Sequence, residues 1–159
     1  MTALLTITKT EAKLFAREPV ALFFGLVFPS LLLLVIGAVV PGAREPNPDL
    51  GGLRFVDLYA PSVIAFSLVT LGVNVLPTVL VTYRERGFLR RLATTPLRPS
   101  RLVLVQIVVH AAVAVLATLA ALVAGRLAFG IPLPGAPLAF ALALALGILS
   151  LFGIGMLVA

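Results

Sequence analysis

The sequence predicts an all-α, polytopic membrane protein, and three observations carry that prediction. Of its 159 residues, 61% are hydrophobic and only 11% charged. Mean hydropathy is +1.19. Four stretches contain no Asp, Glu, Lys or Arg and are each long enough to cross a bilayer: Val20–Val40, Leu58–Thr82, Leu102–Gly125 and Leu138–Ala159, of 21, 25, 24 and 22 residues. A single soluble core at this chain length cannot hide so much apolar surface, so lipid is the solvent for most of the chain. About 20 residues rising about 1.5 Å each cross a hydrocarbon core of about 30 Å as a helix. The expected organisation is an interfacial segment, residues 1–19, followed by a membrane domain, residues 20–159.

Within the first segment, Lys9, Lys13 and Arg17 follow one another at i, i+4 and i+8 and share one helical face. Leu4, Ile7, Leu14 and Phe15 gather on another, the pattern of an amphipathic helix lying in the membrane interface. Glu11 and Glu18 fall on the apolar side, so the amphipathicity is imperfect. Glu18 precedes Pro19, which disfavours helical geometry in its predecessor and marks the bend into the first span. That span is expected to be retained rather than cleaved as a signal peptide: its apolar run is too long, and acids stand where a basic leader would be.

The loops set the orientation. Residues 83–101 carry Arg84, Arg86, Arg90, Arg91, Arg98 and Arg101 against Glu85 alone, and the first 19 residues carry three basic side chains. The alternate loops are poorer: Arg44 and Arg54 are offset by Glu45, Asp49 and Asp57, and residues 126–137 hold only Arg126. The positive-inside rule then puts the N-terminus and residues 83–101 in the cytoplasm of a protein of the cell membrane. The net charge of +6 does not point to nucleic acid, because the basic residues punctuate long uncharged runs instead of covering a polar face with interleaved aromatics. With no cysteine there is no disulfide, thiol nucleophile or thiolate metal site.

Polar residues inside the spans are few. Asn74 lies in the second, and Gln106 and His110 lie one turn apart in the third. At 3.6 residues per turn, Gln106, His110, Ala114, Ala117, Ala121 and Gly125 form one stripe, with mostly Val and Leu opposite. Such a face avoids lipid. Two roles fit it: close helix packing through small residues, and lining a substrate path, for which Asn74, Gln106 and His110 are the candidates. A lone His with no carboxylate in the spans is poor material for a proton relay. Pro29, Pro61 and Pro77 are expected to kink the first two spans.

The chain has no Gly-x-x-x-x-Gly-Lys-Ser/Thr loop, no His-Glu-x-x-His and no Cys/His cluster. Its only lysines, Lys9 and Lys13, precede the first span, so it is not expected to hold nucleotide phosphates or a metal, or to act as an enzyme.

Residues 83–101 have an order that topology alone does not require. Gly87 weakens a helix descending from the second span and permits a sharp turn. Phe88, Leu89 and Leu92 then lie together while Arg90 and Arg91 point elsewhere, a short amphipathic helix ended by Thr94-Thr95-Pro96. A knob of this kind fits a groove on a soluble partner, with arginines meeting carboxylates at its rim. The arginines alone also fit anionic lipid headgroups.

Two stretches carry a resemblance. AREPVALFFGLVFPSLLLLVIG, from Ala16, and YRERGFLRRLATTPLRPSRLVLVQ, from Tyr83, resemble membrane subunits of ATP-binding-cassette exporters of the type-two permease family, which includes daunorubicin-resistance-like drug and lipid exporters. In that family an Arg-Glu-x-Gly-x-x-x-Arg-Leu-x-x-x-Pro-Leu pattern forms a cytoplasmic coupling helix against the ATPase. The matching positions are Arg84, Glu85, Gly87, Arg91, Leu92, Pro96 and Leu97, with Phe88 on the apolar face. The resemblance implies a permease subunit moving a hydrophobic drug, natural product or lipid outward. It also implies a separate ATPase that binds ATP and Mg, and a second permease copy or paralogue. The N-terminal segment would be an elbow helix on the ATPase or a partner span, or else a headgroup anchor. The family usually has six spans, and this chain stops inside its fourth uncharged run, so it is expected to be the N-terminal part, as a fragment or a truncated gene product. Two other classes stay open on the residues: a secondary transporter or channel driven by an ion gradient, and an accessory subunit whose spans only pack.

Overall fold

Each long uncharged run is helical in the computed structural model, which describes residues 2–85 and 99–158. Four helical stretches are long and apolar enough to cross a membrane: Pro19–Val39, Phe55–Thr82, Val103–Phe129 and Pro137–Val158. They are called the first to fourth spans below. A 14-residue helix, Thr2–Phe15, precedes them. Among the described residues there is no strand, only an isolated bridge between Pro46 and Arg54. The structure is therefore the all-α, four-span architecture expected.

Two spans run past the charges that end the hydrophobic runs. The second begins at Phe55 and takes Asp57 into its first turn. The third continues through Arg126 to Phe129. Both charges are satisfied locally. Arg54 Nε and Nη2 donate to the two carboxylate oxygens of Asp57, each at 2.8 Å, and Arg126 Nη1 donates to the Ile131 carbonyl at 3.3 Å. A paired acid near a helix N-terminus and a base near a C-terminus both suit the helix dipole.

This end of the bundle is closed by arginines that cap helices. Arg54 Nη1 also donates to the Phe129 carbonyl at 2.8 Å, serving the last turn of the third span. Arg44 Nε donates to the Gly37 carbonyl at 2.8 Å, serving the last turn of the first, and its guanidinium sits 4.8 Å from the centre of the Phe129 ring. These carbonyls have no intrahelical partner, and each cap removes an orphan acceptor. The third span stops at Gly130, whose φ of 63° lies in the left-handed region that glycine adopts without cost. Beneath the caps, Leu33, Val56, Ala60, Val63 and Ile131 form an apolar cluster. Gly37 is fully used: a Cβ there would come within 2.5 Å of the Phe129 ring.

The third span is the hub, packing on the N-terminal helix, the first span and the second. Its stripe behaves as the period requires: Gln106, His110, Ala114, Ala117 and Ala121 are all buried, whereas Leu116, Leu119 and Leu127 on other faces are exposed. The fourth span packs mainly on the second, where a Cβ on Gly155 would overlap the Gly72 carbonyl oxygen. Only glycine permits that approach, the small-residue packing common between membrane helices.

The prolines act differently from one another. Pro29 follows a π-helical turn, Phe23–Val27, and Pro77 follows another, Thr70–Val75. A wider turn just before a proline accommodates the ring against the carbonyl four residues back. Around Pro61, by contrast, the helix stays α from Phe55 to Val69. The two π turns pack together, with Leu71 against Gly25.

Candidate functional site

The end of the bundle opposite the arginine caps holds the N-terminal helix and the start of the third span. Lys9 and Lys13 on the helix, and Arg17 in the turn that follows it, are exposed. The contact face of the helix differs from the expected one: Leu14 is 47% exposed, whereas Glu11 is buried at 7%. The reason lies 95 residues away, where Gln106 Nε2 donates to Glu11 Oε2 at 2.6 Å. A charge-assisted bond of this length offsets part of the cost of burying a carboxylate. Glu11 is thus a polar contact between two elements, not a flaw in an apolar face.

His110 lies one turn deeper and is 1% exposed. Its Nδ1 is 2.9 Å from the Gln106 carbonyl, which can only accept, so the proton resides on Nδ1. The imidazole and the Phe15 ring of the N-terminal helix meet in a T-shaped arrangement, centres 5.4 Å apart at 79°. Nε2 has no hydrogen-bond partner. A void of about 30 Å³ adjoins the cluster, lined by Glu11, Phe15, Glu18, Val79, Gln106 and His110. The carboxylate that sequence reasoning did not find near His110 comes from outside the spans; the signal for it was the acid at position 11 in an otherwise apolar register.

Asn74 stands apart from that cluster. It is exposed within the second π turn and lines an open cleft of about 390 Å³ between the first and second spans, with Glu18, Phe24, Thr70 and Thr78. The threonine hydroxyls are spent on their own helix, Thr70 donating to the Phe66 carbonyl at 2.9 Å and Thr78 to the Asn74 carbonyl at 2.7 Å. The carboxamide of Asn74 has no hydrogen bond among the described residues and, with Glu18, supplies the cleft's polarity. Gln106 and His110 line a different space, so the three polar residues named from the sequence do not form one site. Among the described residues, no group of three or more His, Cys, Asp or Glu side chains could hold a metal ion.

Of the arginine-rich segment, Glu85 is exposed at the end of the helix Leu76–Glu85. Gly87, Phe88, Arg91, Leu92 and Pro96 lie outside the described residues, as does the side chain of Arg84.

No curated protein and no solved structure matches the chain. A family model described as ABC-2 type transporter matches residues 2–159, from the N-terminal helix through the fourth span. The match runs through every element described above, and the chain belongs to the ABC-2 type transporter family, as a multi-pass membrane domain.

Proposed function

We propose that this chain is the permease subunit of an exporter powered by a separate ATP-binding-cassette ATPase, and that it moves a hydrophobic drug, natural product or lipid outward across the cell membrane. The observation that carries the reading is the family match over residues 2–159, in a chain without nucleotide-binding motifs of its own. Permeases of this family normally pair with an ATPase, on which ATP and Mg reside. A second copy or paralogue completes the path. The N-terminus and residues 83–101 face the cytoplasm, and Arg84, Glu85, Gly87, Phe88, Arg91, Leu92 and Pro96 form the contact with the ATPase. Substrate meets the cleft bearing Asn74, an apolar space with few polar groups as hydrophobic ligands require. Gln106 and His110 serve it indirectly, by seating the N-terminal helix on the third span.

Reconstitution with the ATPase in vesicles tests the energy source: uptake into inverted vesicles should follow ATP and ignore an imposed proton gradient, and the opposite dependence would move the chain to the secondary transporters. The coupling role is tested by replacing Arg91 and Leu92 together by Ala. Five arginines remain in the loop, enough to hold its side of the membrane. Loss of a contact hot spot costs about 2 kcal/mol or more, so the ATPase should co-purify poorly and substrate should no longer stimulate hydrolysis. Unchanged binding and export would leave the arginines a purely topological role. For orientation, a cysteine at Gly51 should react with an impermeant thiol reagent in intact cells and one at Ser100 should not; the reverse would invert the topology.

A further inference from the structure

From an apolar groove beside the N-terminal helix, we infer a binding site for one anionic phospholipid, its acyl chain in the groove and its phosphate on Lys13 and Arg17. The groove is about 320 Å³ and lies between the N-terminal helix, the first span and the third. Thr8, Ala12 and Ala16 form its wall on the N-terminal segment, Leu26 the first span's, and Val113 and Leu116 the third's, with Thr8 the only polar residue of its lining among the described residues. Along the third span it runs from Val108 to Leu116, about 12 Å at about 1.5 Å per residue, which takes a chain well into the hydrocarbon.

The charge around the helix is sorted by side. At 3.6 residues per turn Lys9 and Lys13 lie immediately beside Thr8 and Ala12 on the helix, Arg17 follows Ala16 in the turn after Phe15, and all three basic side chains are exposed. Both acids of this segment turn the other way: Glu11 and Glu18 line the void next to His110. The groove's rim is therefore basic and its interior apolar, the complement of a lipid with an anionic headgroup. A zwitterionic lipid gains the groove without the rim. The site does not depend on what the chain transports.

The chain has no tryptophan, so single reporters are clean. Leu116→Trp places a reporter inside the groove and Val108→Trp one near its other limit, while Leu146→Trp, at a position 65% exposed on the fourth span, reports on bulk lipid. Each protein is reconstituted in phosphatidylcholine vesicles carrying brominated phosphatidylglycerol or brominated phosphatidylcholine. Basic side chains near a surface contribute roughly fivefold each, so with Lys13 and Arg17 on the phosphate both groove reporters should show about a twenty-fivefold preference for quenching by the anionic lipid. The fourth-span reporter should show a preference of about one. Lys13→Gln should lower the groove preference several-fold, and adding Lys9→Gln and Arg17→Gln should abolish it. Equal quenching at all three positions, a preference that survives the triple substitution, or no quenching in the groove because another protein segment fills it would each overturn the site.

Discussion

The two ends of this bundle handle buried polarity in opposite ways. At the loop end, the Arg54–Asp57 pair is bidentate, both of its distances are 2.8 Å, and the spare donor caps the third span. Arg44 does the same for the first span. At the other end, the buried Nε2 of His110 has no hydrogen-bond partner among the described residues, and a small void and an open cleft lie alongside. A polar contact with its main donors and acceptors matched has one geometry and resists displacement. One left partly unmatched has alternatives of similar energy. We expect the loop end to hold as a fixed closure and the end nearest the arginine-rich segment to be the one that moves.

The comparison breaks most readily at Arg54. Arg54→Ala removes the ion pair and the cap together and leaves Asp57, 16% exposed, without its counter-ion. We expect a loss of about 2 kcal/mol, below the full cost for a completely buried pair because both side chains touch solvent. Thermal unfolding in detergent reads it out, and the Arg54→Ala, Asp57→Ala double variant should cost clearly less than the sum of the singles. Transport per folded molecule should be kept.

Glu11→Ala should cost less stability, about 1 kcal/mol, because it removes the hydrogen bond from Gln106 but also the burden of a buried charge. Its effect on ATP-driven transport should be larger than that of Arg54→Ala. Glu11→Gln keeps an acceptor for Gln106 and should recover most of the stability, measured in the same melts; a Glu11→Ala protein with full transport would make this contact mere packing.

The smallest effect is expected at His110. His110→Leu roughly keeps bulk and removes a ring whose Nε2 bonds to nothing, so stability should change by about 1 kcal/mol or less. Membrane abundance and export should both survive; loss of export at normal abundance would bring His110 into the substrate path.

How far the sequence could be read follows the same division. The spans were legible because charge is absent over more than 20 residues at a time, and the buried stripe of the third span because 3.6-residue spacing puts Gln106, His110 and the alanines on one face. Span limits at Asp57 and Arg126 were not, since Asp57 is paired with Arg54 three residues back and Arg126 donates to carbonyls of the turn that follows it, contacts that a count of charges does not show. The π turns left a trace, Pro29 and Pro77, but Pro61 carries the same trace without one. Glu11 was misjudged for want of its partner: nothing local tells that position 106 returns to meet position 11. The three polar span residues looked like one path and divide between two spaces, because span-to-span register is a tertiary property. The ordering of the arginine-rich segment, read as a coupling helix, falls on residues outside those described.

The claim that one end moves and the other holds can be measured directly. The chain contains no cysteine, so spin-label pairs can be placed without prior substitutions: Thr10 with Leu104 across the N-terminal helix and the third span, and Asp49 with Leu127 across the loop end. Distances are read in the complex with its ATPase, first without nucleotide and then trapped during ATP hydrolysis. The first pair should shift by more than about 2 Å, the scale of helix displacements in switching proteins, while the second stays within that range. A first pair that never moves, or a loop-end pair that moves as far, would contradict the account.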